Sequence, residues 1–345
     1  SLGISGQINK QMSYVDDGTN TAFAVMDNTN SGSRFRFTGE EDIGNGLKVG
    51  GVWEWQWQNT PSSGATFNSA GEISETTATD VGLQDRKTEL YFASKWGKVS
   101  LGKGDGAGNG AAEVDLSGTA VIDYCGANGD QMGSFSFQTG VGQRGPGAGP
   151  SVGSVLGCFD MFSRNDRIRY DTPKLAKWLT VSASRAQANT EEIAVRASGT
   201  AGGVKIAAAL ATGSRDGEVA GDRPRAVTAI SASVLLKMGL NFTLSHSMTE
   251  TDVDVGSDPS QSFTYFKVGW RKGKHNVGLG FGQTDFDNSG SAAVDSSNPT
   301  SLALSYVYNL AKDVEIYAAY RDLDADFTGV DGLSSLTVGS RIKWK

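Results

Sequence analysis

Period-two alternation of apolar and polar residues recurs along this chain and constrains its fold more than any other feature. In the segment 47–58, one face holds Val49, Trp53, Trp55 and Trp57, and the other holds Lys48, Glu54, Gln56 and Gln58. Successive side chains of a β-strand point to opposite faces, so this pattern predicts a strand with one apolar face. The polar faces are rich in glycine, serine and charge, which also suits a wall that faces water.

The alternation predicts sixteen strands. They lie near 2–15, 33–42, 47–58, 85–95, 98–104, 166–172, 178–187, 191–198, 204–212, 225–236, 239–249, 262–271, 275–285, 300–309, 314–323 and 334–344. An even number of antiparallel strands places both termini at the same end of the sheet. The sequence therefore predicts an all-β fold, with residues 1–345 forming a single domain.

The connections between these strands alternate between very short and mostly long. The short ones are 43–46, 96–97, 172–177, 199–203, 237–238, 272–274 and 310–313, and the long ones are 16–32, 59–84, 105–165, 213–224, 250–261, 286–299 and 324–333. The hairpin near Asn189 is the exception. Short turns at one end and long loops at the other are typical of outer-membrane barrels, whereas a sandwich or propeller has no reason to sort its loops. We therefore expect a transmembrane 16-stranded antiparallel β-barrel.

Composition agrees with a barrel filled by water. Hydrophobic residues make up 38% of the chain, 46 residues are glycine, and the longest apolar run is only 206–211. A transmembrane helix would need ~20 apolar residues, so a membrane crossing has to use strands in a closed barrel. The net charge of -7 argues against a nucleic-acid partner. Because the chain opens at Ser1 without a signal segment, we expect a mature form, although an expression product could start the same way.

Tryptophan placement also favours the membrane interpretation. Trp96, Trp178, Trp270 and Trp344 lie within a residue or two of a short turn or the C-terminus, where an interfacial aromatic girdle is expected. The alternative is that aromatic residues simply favour strands. Lys10 does not fit the pattern, since it falls on the outward face of the first strand. A lysine side chain that faces lipid at the bilayer midplane costs roughly 2–4 kcal/mol.

The longest connection, 105–165, has the features of a functional loop. Asp115, Asp123 and Asp130 add negative charge to it, and it holds the chain's two cysteines, Cys125 and Cys158. Their clustering in one glycine-rich segment favours a disulfide in an oxidising compartment, and two reduced cysteines in a cytosolic protein are the alternative. Closing a loop of about 30 residues contributes ~3–4 kcal/mol in chain-entropy estimates.

Three segments, in the expected order, resemble the trimeric general porins of Gram-negative outer membranes. They are 33–47, the pair 89–92 and 96–103, and 165–173, which reads Asn-Asp-Arg-Ile-Arg-Tyr-Asp-Thr-Pro. The resemblance implies a homotrimer in the bacterial outer membrane. It also implies that 105–165 folds into the barrel as the third loop and narrows the lumen between loop acids and wall arginines.

The expected constriction has a basic wall and an acidic loop. The residues concerned are Arg34, Arg36, Lys87, Arg167 and Arg169 on the wall, and Glu113, Asp115 and Asp123 on the loop. Their opposed charges would order water and favour small polar solutes. Arg196, Arg321 and Arg341 are also placed on inward faces. The alternative is that these arginines merely pair with Glu40, Glu89 or Glu192 and serve the structure.

We therefore expect an outer-membrane pore for passive diffusion of ions and small hydrophilic solutes, with membrane lipid and lipopolysaccharide around it. A substrate-specific channel for a sugar, organic acid or anion is the alternative, but such a channel is expected to carry an aromatic track inside. An enzyme is disfavoured because the chain has only two histidines, His246 and His275, and a lone histidine such as His246 between Ser245 and Ser247 is more often a wall residue than a catalytic base. No cofactor is expected, although acidic segments such as 252–254 and 285–287 could bind structural calcium. A soluble β-protein or adhesin would stay in solution without detergent.

Overall fold

The computed structural model describes residues 1–75, 82–139, 147–217, 225–253 and 257–345. The strands are β1 (Leu2–Asp16), β2 (Thr21–Asp27), β3 (Arg34–Asp42), β4 (Lys48–Gln58), β5 (Ala65–Phe67), β6 (Ile73–Glu75), β7 (Gly82–Ser94), β8 (Gly97–Asp105), β9 (Arg164–Asp171), β10 (Leu179–Ala186), β11 (Glu191–Ala201), β12 (Val204–Arg215), β13 (Arg225–Leu235), β14 (Leu240–Thr251), β15 (Ser260–Lys272), β16 (His275–Asp287), β17 (Thr300–Ala311), β18 (Val314–Asp324) and β19 (Leu333–Trp344). Short helices are α1 (Ala127–Met132), α2 (Val152–Val155), α3 (Ala292–Asp295) and a 3-10 turn at Ser62–Gly64. None of the helices within these ranges is long and apolar enough to cross a bilayer.

The sheet closes on itself through its first and last strands. β1 pairs antiparallel with β19 from Gly6 opposite Trp344 to Asp16 opposite Ser334. Every other wall strand pairs antiparallel with its sequence neighbour in the wall. β2 and β3 both pair with β1, at its two ends, and together form one wall strand. The predicted 16-stranded antiparallel barrel is therefore confirmed, and β5 with β6 forms a separate hairpin outside the wall.

The prediction of a long connection at 16–32 was wrong in part. Residues 21–27 form β2, whose Phe23 and Val25 face outward and are exposed. The seven-residue strand is short, so its alternation was a weak signal beside the polar residues that follow it. The chain then leaves the wall at 28–33 and returns at Arg34. We call residues 28–33 the inward excursion, because Asn28 donates hydrogen bonds to the Val121 carbonyl and the Tyr317 hydroxyl inside the barrel.

The two faces of the wall differ as the alternation predicts. Leu244 and Phe266 are exposed on the outer face, and Ser245 and Lys267 are buried on the inner face. The interfacial tryptophans are outward and exposed as well, and Trp96 is 74% exposed. This arrangement places apolar surface against lipid and polar surface against the lumen.

The outward Lys10 is accommodated by an ion pair. Its Nζ lies 2.5 Å from Oδ1 of Asp27, the residue paired with it across β1 and β2. Asp27 is fully buried, and its other oxygen accepts hydrogen bonds from the backbone amides of Asn59 and Thr60. The charge therefore lies where β2 leaves the wall and is neutralised by a carboxylate on the same face.

Lysines are sorted to one end of the barrel. Twelve of the sixteen lie in the short turns, at the C-terminus, or within two residues of the adjoining strand end: Lys48, Lys95, Lys98, Lys174, Lys177, Lys205, Lys237, Lys272, Lys274, Lys312, Lys343 and Lys345. We call these twelve residues the lysine rim. The remaining four lie within strands, and the long connections contain none.

The two-faced wall predicts a position-dependent cost for an outward arginine. Leu244→Arg, at the centre of β14, should lower the free energy of unfolding by about 2–4 kcal/mol, because the guanidinium faces the bilayer midplane. Glu250→Arg, on the same face at the strand end, should cost about 0–1 kcal/mol. Denaturant titrations of protein folded in lipid vesicles measure both values, and equal losses would contradict the assigned outer face.

Candidate functional site

The connection between β8 and β9 lies against the inner face of the wall. We call the described residues of this connection, 106–139 and 147–163, the inner connection. The backbone amide of Val114 donates to Oγ of Ser231 on β13 at 3.1 Å, and Asn128 Nδ2 donates to Oγ of Ser301 on β17 at 2.9 Å. Both serines are buried on inward faces. Because β13 and β17 are four strands apart, these contacts place the inner connection inside the barrel.

A disulfide and a small apolar core hold the inner connection together. The predicted bond between Cys125 and Cys158 is present and joins the segment before α1 to the segment after α2. Phe135 and Leu156 are fully buried within it, and the Phe135 ring lies 5.3 Å from that of Phe67 on β5. The inner connection is therefore a folded unit, anchored to the hairpin that precedes β7.

A buried lysine attaches the inner connection to the wall. Lys267 on β15 is fully buried, and its Nζ lies 2.6 Å from Asp115, 3.8 Å from Asp123 and 3.0 Å from Thr119. Asp123 also accepts a hydrogen bond from the Tyr265 hydroxyl at 3.0 Å. The prediction that Asp115 and Asp123 face the basic wall across an open constriction is therefore wrong. Both carboxylates instead lie beside Lys267, on a strand where the sequence indicated no site residue.

Three predicted inward arginines also hold the inner connection or its surroundings. Arg196 donates to the carbonyls of Ala107 and Asn109 at 2.7 and 2.8 Å. Arg321, fully buried, donates to the Ile122 carbonyl at 3.0 Å. These carbonyl groups lie outside the strands and have no partner in the sheet, so the arginines supply the hydrogen bonds that they need inside the barrel. The third, Arg341, forms an ion pair with Glu315 at 2.5 Å.

Arg167 and Arg169 have the structural role that was given as the alternative, since both pair with carboxylates of the wall. Arg167 is almost fully buried and pairs with Glu89, and its Nε donates to the Asp105 carbonyl at 3.0 Å. Arg169 pairs with Asp171 at 2.7 Å and donates to the carbonyl of Gly106 at 2.8 Å. Each arginine is therefore neutralised locally and fixes the first turn of the inner connection, in contrast to the free basic wall that was expected.

A basic cluster surrounds one buried glutamate. Glu54 on β4 is fully buried and accepts from Arg36, while Arg86 Nε lies 2.9 Å from Oε1 and Arg34 lies 3.7 Å away. One carboxylate cannot neutralise three guanidinium groups, so this part of the wall keeps positive charge. Arg34 and Arg36 were predicted here, and Arg86 was not.

A β-bulge explains why Arg86 was missed. The register between β4 and β7 shifts after Glu54, so that Lys87 is opposite Glu54 while Asp85 is opposite Trp55. The extra residue turns both Arg86 and Lys87 to the inner face, which strict alternation forbids. Lys87 pairs with Asp105, as does Arg164 at 3.1 Å. Arg164 lies just before the predicted start of its strand and was therefore also missed.

A cavity of about 620 Å³ separates this basic wall from the inner connection. Its lining includes Gln56, Gln84, Arg86, Lys103 and Arg164 on the wall side, Thr29 and Asn30 from the inward excursion, and Asn109, Glu113, Tyr124, Asp130 and Asp160 from the inner connection. A larger groove of about 780 Å³ lies among Leu2, Phe37 and Trp53 on the lipid-facing side. Of these two spaces, the inner cavity lies in the lumen and combines charges of both signs, so it is the candidate site.

Three half-buried carboxyl groups form the acidic side of the cavity. Burial raises the pKa of Glu113 well above its usual value, and the negative charge of Asp160 adds to the effect. Burial also raises the pKa of Asp160 to about 6, although backbone amides of Gly110 and Ala112 oppose the shift. The pKa of Asp130 is raised by burial as well. Glu113 was predicted at this site, whereas Asp160 carried no sequence signal.

The other predicted sites are not part of this cavity. His246 lies on the outer face and bonds Thr264 at 2.9 Å. Within the described ranges, no group of three or more His, Cys, Asp or Glu residues is arranged to hold a metal ion. Asp254, one of the acids named for calcium, lies outside those ranges.

A closed barrel with an apolar outer face, a polar interior and a folded segment beside a charged cavity defines an outer-membrane channel. The chain belongs to the Gram-negative porin family, whose family model matches residues 1–328. It is thus a channel of the bacterial outer membrane for passive diffusion of ions and small hydrophilic solutes.

Solved structures of known channels share the fold. The anion-selective porin from Comamonas acidovorans has a TM-score of 0.68 and 18% identity, with 100% of this chain and 99% of that chain covered. OmpT of Vibrio cholerae, in its trimer form, has a TM-score of 0.64 and 15% identity, with 100% and 99% covered. DcaP of Acinetobacter baumannii has a TM-score of 0.63 and 13% identity, with 100% and 97% covered. A search of curated protein sequences found no significant match.

Loss of the buried lysine should loosen the inner connection. Lys267→Met leaves Asp115 and Asp123 buried without a cation, which should cost about 3–5 kcal/mol and detach this segment from β15. Single-channel recordings should then show rapid current fluctuations. Lys272→Met, at the exposed end of the same strand, is the matched control and should show a steady single-channel current. A steady current through the Lys267→Met channel would argue against attachment of the inner connection by Lys267.

The raised pKa values of the loop acids predict a pH-dependent selectivity. Asp160 takes up a proton as the pH falls through about 6, and the raised pKa values of Glu113 and Asp130 act in the same direction, so their side of the cavity loses negative charge toward acid pH. The anion-to-cation permeability ratio, obtained from reversal potentials, should therefore rise toward acid pH. Asp160→Asn should flatten this dependence. A ratio that falls toward acid pH would show that other groups control it.

Proposed function

We propose that this porin prefers anions and that the charges around the inner cavity set the preference. The observation that carries the proposal is the surplus of positive charge on the wall. Five basic side chains, Arg34, Arg36, Arg86, Lys87 and Arg164, share two carboxylates, Glu54 and Asp105. The surplus of three positive charges lies beside a water-filled lumen whose protein walls have a low dielectric constant, and there local charge controls which ions enter.

The acidic side of the cavity offsets this surplus incompletely. Glu113, Asp130 and Asp160 could supply three negative charges, but burial raises the pKa of each of them. With a pKa of about 6, Asp160 is partly protonated near neutral pH, and the raised pKa values of Glu113 and Asp130 favour their neutral forms in the same way. The wall arginines keep their charge, because guanidinium stays protonated in proteins. A net positive constriction favours inorganic anions and small anionic solutes over cations.

The fold comparison is compatible with this preference. A solved structure that shares the barrel over nearly its whole length is the anion-selective porin from Comamonas acidovorans. At 18% identity the likeness supports the fold alone, so the preference rests on the charges in this chain. We expect the channel to transport solutes passively and to catalyse no reaction.

The assembly and surroundings are part of the same proposal. We infer a homotrimer, with the trimer form of OmpT as the supporting comparison. Lipopolysaccharide is expected at the long-loop end, where divalent cations such as calcium would bridge its phosphates to acidic loops that include Asp252, Asp258, Asp295 and Asp326. Planar-bilayer conductance that rises and closes in steps of three would support the trimer, and single steps would contradict it.

Removal of two wall charges tests the proposed preference. Arg86→Gln with Arg164→Gln should lower the anion-to-cation permeability ratio by about three- to tenfold, because both guanidinium groups line the cavity. Reversal potentials across planar bilayers in a salt gradient provide the ratio. Arg185→Gln is the matched control, since Arg185 is 62% exposed outside the lumen.

The outcomes of this measurement are distinct. An unchanged ratio in the double variant would refute control by the wall cluster. Block of the native channel by one solute at low concentration would instead support the substrate-specific alternative.

A further inference from the structure

The lysine rim has a property that diffusion through the barrel does not explain. Each of the eight short-turn positions, counting the C-terminal one, carries at least one of its lysines. The rim therefore surrounds the whole end of the barrel and is not concentrated at one side of the lumen. We propose that the lysine rim binds the phosphate headgroups of anionic phospholipids in the inner leaflet of the outer membrane. This proposal is independent of the anion preference proposed above.

Most rim lysines form no ion pair within the described part of the protein, unlike the lysines elsewhere in the chain. The four strand lysines, Lys10, Lys87, Lys103 and Lys267, each form an ion pair with an aspartate. Across the described ranges, Lys48 and Lys343 are the rim members that form ion pairs. Within the same ranges the other ten ammonium groups have no carboxylate partner, although Lys274 Nζ donates to the Leu310 carbonyl at 2.9 Å. Their charges can therefore be balanced by an anion supplied from outside the protein.

The rim lies at the depth where lipid headgroups are expected. Trp96, Trp178 and Trp270 are exposed on the outer face within a few residues of rim lysines. Tryptophans in such positions mark the boundary between acyl chains and headgroups. Lys272 shares the outward face with Trp270, because residues two apart in a strand point to the same side. Its ammonium group is therefore directed toward the membrane surface and away from the lumen.

Aromatic rings lie beside three of these lysines, and Lys98 Nζ is 5.7 Å from the ring centroid of Tyr91. Lys95 Nζ lies 5.0 Å from the ring centroid of Trp96, and Lys274 Nζ lies 5.8 Å from that of Tyr308. A ring face beside an ammonium group offers an apolar surface for the glycerol region and a cation for the phosphate. Each lysine within reach of an anionic surface strengthens binding by about fivefold, and salt screens the effect.

Quenching of tryptophan fluorescence by brominated lipids tests the proposal. The full-length protein is folded in vesicles that mix brominated phosphatidylglycerol or brominated phosphatidylcholine with unlabelled lipid, and the relative binding constant is obtained at low salt. We expect the native protein to prefer the anionic lipid by about three- to fivefold. Lys95→Gln, Lys272→Gln, Lys274→Gln and Lys312→Gln combined should reduce the preference to about one. Arginine at the same four positions should retain it.

The controls separate this role from folding and from transport. All four lysines are exposed, and a heat-induced gel shift shows whether the variant barrel is folded. The reversal potential of the glutamine variant should equal that of the native channel. A preference that persists in the folded glutamine variant, or is absent from the native protein, would overturn the proposal. Loss of binding to purified peptidoglycan, with lipid preference unchanged, would overturn it too and assign the rim to the cell wall.

Discussion

Closure of the sheet through β1 and β19 is the constraint on which the rest of this molecule depends. In a bilayer, an unpaired backbone amide or carbonyl has no water to bond, so an open sheet edge would cost several kcal/mol per group. Pairing of Gly6 with Trp344 and onward to Asp16 with Ser334 removes both edges. Once the sheet is closed, each strand has one face toward lipid and one toward the lumen, and every side chain is assigned to one of these environments.

The lumen then imposes a second requirement, because charged groups inside the barrel lie close to one another. Lys267 with Asp115, and Arg167 with Glu89, show how the protein meets it, by pairing charges of opposite sign. Ion pairs of this kind add little net stability but are costly to break, so they specify where the inner connection lies. The unpaired surplus beside Glu54 is the exception, and it borders the inner cavity.

The ends of the barrel are as different as its faces. Lysines gather at the short turns, while the long connections contain only arginine as a basic side chain and many carboxylates. Since the strands place the two sets at opposite ends of the wall, the molecule has a charge polarity along its axis. Such polarity fits a protein whose two ends meet chemically different leaflets, and the lysine rim is its clearest expression.

The sequence by itself determined the sixteen wall strands, the sorting of connections, the outward tryptophans and the Cys125–Cys158 disulfide, since alternation, loop length and cysteine clustering are local or near-local properties. Only the tertiary structure decided which charges face the cavity. Asp115 meets Lys267 because β15 lies across the lumen, and Arg86 turns inward because a bulge breaks the period of two. A contact across the lumen depends on the whole circumference of the barrel, and a bulge is one extra residue that the alternation pattern does not show. Neither could therefore be predicted from the neighbouring sequence.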